Sequence, residues 1–192
     1  ASCFGREFQL IYLLQLSGKS FEQLILLIDE LFANGFIVSV GSEFNEKRAP
    51  SLVNTQYLQG YKYQFIHDRI QETAYEKLKE DRRLQIHLQI SRILQQELDG
   101  EKNIIELVRQ LNYCKELLTE DERVQLAIWN CQLGEEAKQS GLYMTAIDFY
   151  NEGLYLLGDR YWAHKRELMF TIYFNTGERE FLKGNHEIAK NM

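Results

Sequence analysis

The sequence predicts a mainly α-helical protein in two parts, a small helical domain with one β-hairpin and then an arm of antiparallel helical hairpins. Three observations predict this class. The 192 residues include a single proline, and apolar residues recur at helical spacing over most of the chain. Two short strand-like runs flank a polar stretch in the first third. In the last third, small residues recur at a fixed interval.

Two helical segments open the chain. Residues 8–17 are apolar almost throughout, which predicts a short buried helix that ends at Gly18. Residues 20–23 have the S-x-x-Q form of a capping box. The segment behind this box places apolar residues at helical spacing, at Leu24, Leu27, Ile28, Leu31 and Phe32. Asn34-Gly35 predicts its end, because glycine accepts the left-handed backbone that terminates helices.

A hairpin and a third helix follow. Residues 36–40 and 61–65 are predicted as strands, and the polar residues 41–60 between them as a loop. Residues 66–78 carry apolar side chains at steps of four, which predicts a helix. Two helices, a hairpin around a long loop and a further helix form the outline of a winged helix. We therefore predict a winged-helix-like domain over residues 1–80.

Residues 81–118 are predicted as connecting helices. The run 84–90 alternates as a strand would, but no turn signal bounds it and its apolar residues also form a helical stripe, at Ile86, Ile90, Ile93 and Leu94. We therefore interpret it as helix. Capping boxes at residues 103–106 and 119–122 predict the starts of two further helices, over 104–118 and 124–138.

Residues 119–192 are predicted as helical repeats. A set of small residues recurs after 43 residues, with Gly134-Glu135, Gly141 and Ala146 matched by Gly177-Glu178, Gly184 and Ala189. The first unit fits the tetratricopeptide spacing, with Tyr150 on the inner stripe of its second helix, although that repeat is usually about 34 residues long. An ordinary pair of helical hairpins is the alternative. The second unit stops inside its final helix and could not cap itself, so we expect a fragment of a longer protein.

Composition argues against several classes of protein. The net charge of −6 argues against nucleic acid as a partner, and no apolar run is long enough to predict a membrane span. Three widely spaced cysteines without a C-x-x-C pair indicate reduced thiols, and no signal peptide is visible, so we predict a cytoplasmic location. The histidines lack the spacing of metal ligands.

No catalytic residues are predicted, so this fragment is not expected to be an enzyme. Gly18-Lys19-Ser20 resembles the end of a phosphate-binding loop, but that motif needs a glycine where Leu13 stands. Cys114 and Cys131 lie beside apolar residues and are interpreted as buried thiols. Arg83 and His87, four apart on one predicted helix, are interpreted as a surface or interface pair.

The adjacent residues His67 and Asp68 are the main candidate site. Residues 68–71 read D-x-x-Q, so Asp68 could cap the following helix while Gln71 reaches back. His67 would then be a partly buried residue at a strand end. Catalysis by this pair alone is not expected, because no nucleophile accompanies it.

These residues resemble a family. Phe65-Ile66-His67-Asp68-Arg69-Ile70-Gln71, Ala74-Tyr75, Arg83, His87, Ile90 and Leu94 are similar to a segment of the predicted bacterial ATPases of the signal-transduction class, known as STAND ATPases. Residues 1–5 with Phe8, and residues 14–20, resemble the stretch that follows their ATPase core, and the repeat region resembles their helical arm. The resemblance covers essentially the whole chain.

The resemblance implies a larger architecture. Such proteins place a nucleotide-binding ATPase domain before a winged helix and a repeat arm, and some add serine/threonine kinase or histidine kinase domains. This fragment would hold no cofactor, because ATP or ADP would sit in the absent upstream ATPase domain. That domain would be one partner, and an unidentified protein at the repeat arm would be another.

The resemblance also implies a role for the candidate site. In related switch ATPases an M-H-D motif lies in the winged helix, and its histidine approaches the ADP phosphate. Ile66-His67-Asp68 is similar to this motif, with isoleucine in place of methionine. His67 would then sense nucleotide, while Asp68 would hold the loop and cap the helix. Pure capping, a DNA-binding winged-helix regulator and an unrecognised enzyme stay open as alternatives.

Overall fold

The computed structural model describes residues 1–40, 60–96 and 104–158, together with Phe170, Tyr173, Phe174 and Gly177. The chain divides into two compact units, Ala1–Gln96 and Glu97–Met192. The predicted class is confirmed, since the described chain is mainly helical with one small three-stranded antiparallel sheet. The predicted bounds at residues 80 and 118 stay predictions.

Unit 1 contains three strands and four α-helices among its described residues. After a short 3-10 helix, Ser2–Phe4, the elements are β1 (Glu7–Gln9), α1 (Leu10–Ser17), α2 (Phe21–Ala33), β2 (Ile37–Val40), β3 (Lys62–Phe65), α3 (Asp68–Glu76) and α4 (Glu80–Gln96). The strand order is β1-β3-β2, and both pairings are antiparallel. The central strand β3 therefore joins the two outer strands.

Strand β1 corrects the prediction of a helix over residues 8–17. The helix begins at Leu10, because Glu7–Gln9 pairs with β3, with Phe8 opposite Tyr63. Strand β2 pairs with one edge of β3, and β1 supplies hydrogen-bond partners for the backbone groups on the opposite edge. Strand alternation then buries Phe8, Tyr63 and Phe65 against Leu10 and Ile28.

The predicted helix ends of unit 1 are mostly confirmed. Ser20 Oγ accepts a hydrogen bond from the Gln23 amide and Gln23 Oε1 accepts one from the Ser20 amide, each at 3.3 Å, so the capping box forms. Gly18 ends α1 with a φ of 61°, a left-handed conformation that other residues adopt only with strain. Residues 84–90 are helical, as predicted. The predicted wing lies outside the described residues, except for Gly60.

Unit 2 is described as three α-helices and one short 3-10 helix. These are α5 (Ile104–Tyr113), the 3-10 helix Lys115–Leu117, α6 (Glu120–Gln139) and α7 (Tyr143–Leu157). The helix predicted over 104–118 stops at Tyr113, and the chain tightens into the 3-10 turn. The capping box at residues 119–122 is confirmed. Asn103 and the second repeat lie outside the described residues, except for Gly177.

Helices α6 and α7 form an antiparallel hairpin around residues 140–142. Gly134 and Tyr150 lie at similar distances from this turn along the chain, and they meet side by side. Gly141 holds the turn with a φ of 76°. The inner stripe of α7 is buried, at Ala146, Ile147, Tyr150, Gly153, Leu156 and Leu157. The hairpin that the small residues predict is therefore present in its first unit.

Candidate functional site

His67 lies where the central strand β3 passes into helix α3. Its backbone is extended, with φ −131° and ψ 141°, and it occupies the N-cap position of α3. The neighbouring backbone is held, because the Ile66 amide donates to Phe36 O at 3.1 Å and the Ile70 amide donates to His67 O at 3.0 Å. The His67 side chain is exposed and makes no capping hydrogen bond. A fixed backbone therefore carries an imidazole that is open to solvent.

The prediction that Asp68 caps this helix is wrong. A capping residue precedes the helix with non-helical backbone angles, and here that residue is His67, while Asp68 is already the first helical residue. The Asp68 carboxylate lies 3.6 Å from Arg6 Nε, and both side chains are more than half exposed. Such a pair contributes only about 0–1 kcal/mol. The carboxylate also suits the positive end of the helix dipole.

Gln71 does not complete the predicted capping box. Its Nε2 donates to the Ser2 carbonyl oxygen at 2.7 Å, rather than reaching back to the start of its own helix. This bond ties the middle of α3 to the 3-10 helix Ser2–Phe4. A contact between residues 69 positions apart gives no local sequence signal.

The C-terminal part of α3 is tied to α4 through Tyr75. The Tyr75 hydroxyl lies 2.9 Å from His87 Nε2, and the Arg83 guanidinium lies 5.0 Å from the centre of the Tyr75 ring. The sequence predicts that Arg83 and His87 form a surface or interface pair, but His87 is only 1% exposed, so the surface form of this prediction is wrong. Both residues instead converge on one tyrosine, which combines a hydrogen bond with a cation–π contact.

Helix α3 therefore links the candidate site to the rest of unit 1. His67 stands at its N-terminal end, Gln71 holds its middle, and Tyr75 holds its last turn against α4. If the N-terminal end of α3 were displaced at His67, the contacts of Gln71 and Tyr75 would change with it, because a packed helix shifts as a unit rather than deforming continuously. The arrangement can transmit a positional change, but no nucleophile or acid–base pair is assembled beside His67 in the described chain.

In unit 2, Gly134 allows the two helices of the hairpin to approach closely. A Cβ atom at this position would lie 2.8 Å from Tyr150 Cε1, which is too close for two carbon atoms. Tyr150 is buried, and its hydroxyl donates to Glu135 Oε2 at 2.9 Å. The ring is therefore held at both its face and its tip. This explains physically why a small residue stands at position 134.

Two polar contacts of unit 2 were not predicted. Asn112 and Asn130 exchange amide hydrogen bonds of 2.9 and 3.0 Å between α5 and α6, and Asn130 is fully buried. Lys115 Nζ lies 2.6 Å from Glu152 Oε2 and 3.9 Å from the centre of the Tyr155 ring, which joins the 3-10 turn to α7. The pairs are 18 and 37 residues apart, so only the fold brings them together.

The cysteines are buried thiols, as predicted for Cys114 and Cys131. None of the three cysteines, all of which are described, forms a disulfide. Cys114 Sγ donates to Gln110 O at 3.4 Å. Burial raises the pKa of the Cys131 thiol to about 12, because the thiolate would lose its hydration. Cys131 is therefore a neutral packing group rather than a nucleophile.

The raised pKa of Cys131 predicts an alkaline loss of stability. The unfolded thiol ionises near its ordinary pKa of 9.0, whereas the folded thiol stays neutral up to about pH 12. The stabilisation is complete below pH 9, and its loss approaches about 1.4 kcal/mol per pH unit above that value. Denaturant unfolding between pH 8 and 10 measures this slope. The Cys131→Ala variant should show a shallower slope, and equal slopes would contradict the prediction.

The remaining sequence motifs form no phosphate-binding or metal site among the described residues. Gly18-Lys19-Ser20 follows helix α1 rather than a strand, and Ser20 serves as the cap of α2, so the segment is a helix–helix turn. Within the described ranges, no three His, Cys, Asp or Glu side chains gather as a metal site requires. No helix among the described residues is long and apolar enough to cross a membrane.

Comparison with known proteins relates part of this chain to a signalling protein. No protein-family model matches the chain, and no solved structure matches it. The chain is 30% identical to the hybrid signal transduction histidine kinase G of Dictyostelium discoideum. The match covers 65% of this chain and 4% of the kinase. The chain is therefore similar to one small part of a much longer signalling protein.

Proposed function

We propose that the chain is a non-catalytic signalling segment of a larger multidomain ATPase. Unit 1 would relay the nucleotide state of an upstream ATPase domain, and the hairpin of unit 2 would bind a protein partner. The similarity to part of a signal transduction histidine kinase supports the signalling role. The observation that carries the relay is His67, exposed on a fixed backbone at the start of a helix that is tied to its neighbours.

The topology of unit 1 supports a winged helix. Its order of two helices, two antiparallel strands and a further helix agrees with the outline that the sequence predicts, and the unpredicted strand β1 adds a third strand beside β3. In this arrangement His67 follows the last strand of the sheet. A ligand beside that end of the sheet would meet the imidazole before any other part of α3.

The chemistry of His67 suits contact with a phosphate. An imidazole can donate a hydrogen bond to an anionic phosphate oxygen, and a hydrogen bond to a charged acceptor is stronger than one between neutral groups. With ADP bound in the upstream ATPase domain, the contact between His67 and the phosphate would hold α3 in one position. Loss of the contact would release α3 together with its Tyr75–His87 link to α4. Two positions of one packed element form a switch when the nucleotide favours one of them.

The relay predicts the behaviour of a His67→Ala variant in the full-length protein that contains the ATPase domain. We expect ADP affinity to fall about tenfold, the usual effect of removing one hydrogen bond to a charged group, and basal signalling to rise. Isothermal titration with ADP measures the first effect. Glu72→Ala, an exposed change one turn further along α3, is the matched control and should leave affinity unchanged. Unaltered ADP affinity in His67→Ala would refute the sensor role.

The protein-binding role of unit 2 is supported by the tip of its hairpin. Three large apolar side chains are exposed there in succession, Leu142, Tyr143 and Met144. Contiguous exposed apolar surface is typical of protein interaction sites. The proposed partner of the repeat arm would cover this tip.

The alternative of a DNA-binding winged helix is less well supported. A helix that enters a DNA groove normally carries arginine or lysine side chains toward phosphates and bases. Helix α2 contains neither residue type, and its exposed face carries Glu22 and Glu30. We therefore expect the chain to show no binding to random duplex DNA when binding is measured over a range of salt concentrations.

A further inference from the structure

Helix α2 has an outer face on which leucines and glutamates alternate. Its inner face is buried in the core of unit 1 through Phe21, Leu24 and Ile28. On the outer face, Leu26 is 69% exposed and Leu27 is 42% exposed. Neither leucine is needed to attach the helix, because the inner face already does so. The outer leucines are therefore available for another contact.

The charges around the leucines restrict what that contact could be. Glu22 stands one turn before Leu26 and Glu30 one turn after it, and both are exposed. Hydrogen bonds from its own backbone amide and from Ser20 lower the pKa of Glu22, so its carboxylate is ionised at neutral pH. An occupant of this face must therefore offer apolar surface at the centre and positive charge at both ends.

Several occupants fail this requirement. A nucleic-acid backbone or an anionic membrane would bring phosphates against Glu22 and Glu30. A second copy of the same face would bring these glutamates against their counterparts, since a symmetric contact pairs one patch with itself. Like charges at close range cost affinity. Among the occupants considered, only a basic protein surface carries charge that is complementary to Glu22 and Glu30.

We propose that the outer face of α2 is a docking site for a basic amphipathic helix of a partner protein. Its apolar stripe would cover Leu26 and Leu27. Its lysine or arginine side chains would face Glu22 and Glu30, which are separated by about 12 Å along α2 at 1.5 Å per residue. The partner's basic residues would therefore stand about two helical turns apart. This site is separate from His67 and does not depend on nucleotide sensing.

The test uses the whole 192-residue chain and a labelled synthetic helical peptide as the probe. The peptide carries a leucine stripe flanked by lysines two turns apart, and fluorescence anisotropy measures its binding. We expect Leu26→Gln to weaken binding about tenfold. We expect Glu22→Gln with Glu30→Gln to weaken it about fivefold and to reduce its salt dependence. Circular dichroism verifies that each variant is folded.

The control changes the same charge elsewhere. Glu72→Gln with Glu76→Gln removes two exposed carboxylates from helix α3 and should alter binding less than twofold. The proposal is overturned if this control weakens binding as much as the α2 variant, because the attraction would then be to net charge alone. It is equally overturned if Leu26→Gln binds like the parent. If sedimentation instead reveals a dimer that Leu26→Gln dissociates, a second copy of the chain is the occupant of this face and the proposal is overturned. The proposal is also overturned if the chain binds DNA or anionic vesicles and Leu26→Gln abolishes that binding.

Discussion

Replacing Gly134 by valine is expected to destabilise unit 2 by about 3 kcal/mol, within the usual range for overpacking a closely packed contact. A Cβ atom alone would lie 2.8 Å from the ring of Tyr150, and valine adds two methyl groups to it. The ring cannot move aside cheaply, since it is buried and its hydroxyl is bonded to Glu135. Helices α6 and α7 would have to separate.

Tryptophan fluorescence reports this loss selectively. Both tryptophans of the chain, Trp129 and Trp162, lie in unit 2, so a urea titration monitored by their emission follows this unit. Glu136→Val is the matched control, because it places the same β-branched residue on the exposed side of the same helix. Its cost should stay below about 1 kcal/mol, the scale of helix propensity. If the two valine variants unfolded at the same midpoint, the close approach at Gly134 would be disproved.

A second change isolates the contact itself. The Tyr150→Leu substitution removes the aromatic ring whose atoms a side chain at position 134 would contact. The cost of Gly134→Val should then be smaller in the Tyr150→Leu background than in the parent chain. The difference between these two costs measures the coupling between the two positions.

Replacing His87 by alanine is expected to destabilise unit 1 by about 3 kcal/mol. The change empties a fully buried site and removes the partner of the Tyr75 hydroxyl, and both effects are unfavourable. The contact between α3 and α4 should loosen most. Arg83→Ala should cost about 1 kcal/mol, since it removes only a partly exposed cation–π contact.

Hydrogen exchange followed by mass spectrometry locates the effect of His87→Ala. Peptides from α3 and α4 should lose protection, while tryptophan emission, which reports unit 2, should keep its unfolding midpoint. Gln89→Ala lies on the exposed side of the same helix and serves as the control. A His87→Ala variant with the stability of the Gln89→Ala variant would contradict the role of the buried ring.

The same variant separates sensing from relay in the full-length protein. If α3 transmits the nucleotide state through Tyr75, His87→Ala should keep ADP affinity near that of the parent but weaken the response of signalling to nucleotide exchange. His67→Ala should instead change the affinity. Two variants on one pathway that altered different quantities would support a relay in which His67 contacts the nucleotide and the Tyr75–His87 link carries the movement.

The sequence located local structure well where a few neighbouring residues decide it. The capping boxes at residues 20–23 and 119–122 form as predicted, because the hydrogen bonds that define them span three residues. Gly18 ends α1 because its left-handed backbone is a property of that residue alone. The cap of α3 was misplaced by one residue. D-x-x-Q predicts Asp68 as the N-cap, but His67 has the extended backbone of that position and Asp68 is the first helical residue.

By itself, then, the sequence determined the mainly helical class, most helix starts and the need for a small residue at position 134, since periodicity and capping are local properties. The tertiary structure alone decided that β1 pairs with β3, that Asn112 meets Asn130, and that Tyr75 receives both Arg83 and His87. It also decided which leucines of α2 face outward. Each of these outcomes depends on elements distant in sequence packing together, and no pattern of neighbouring residues records which ones meet.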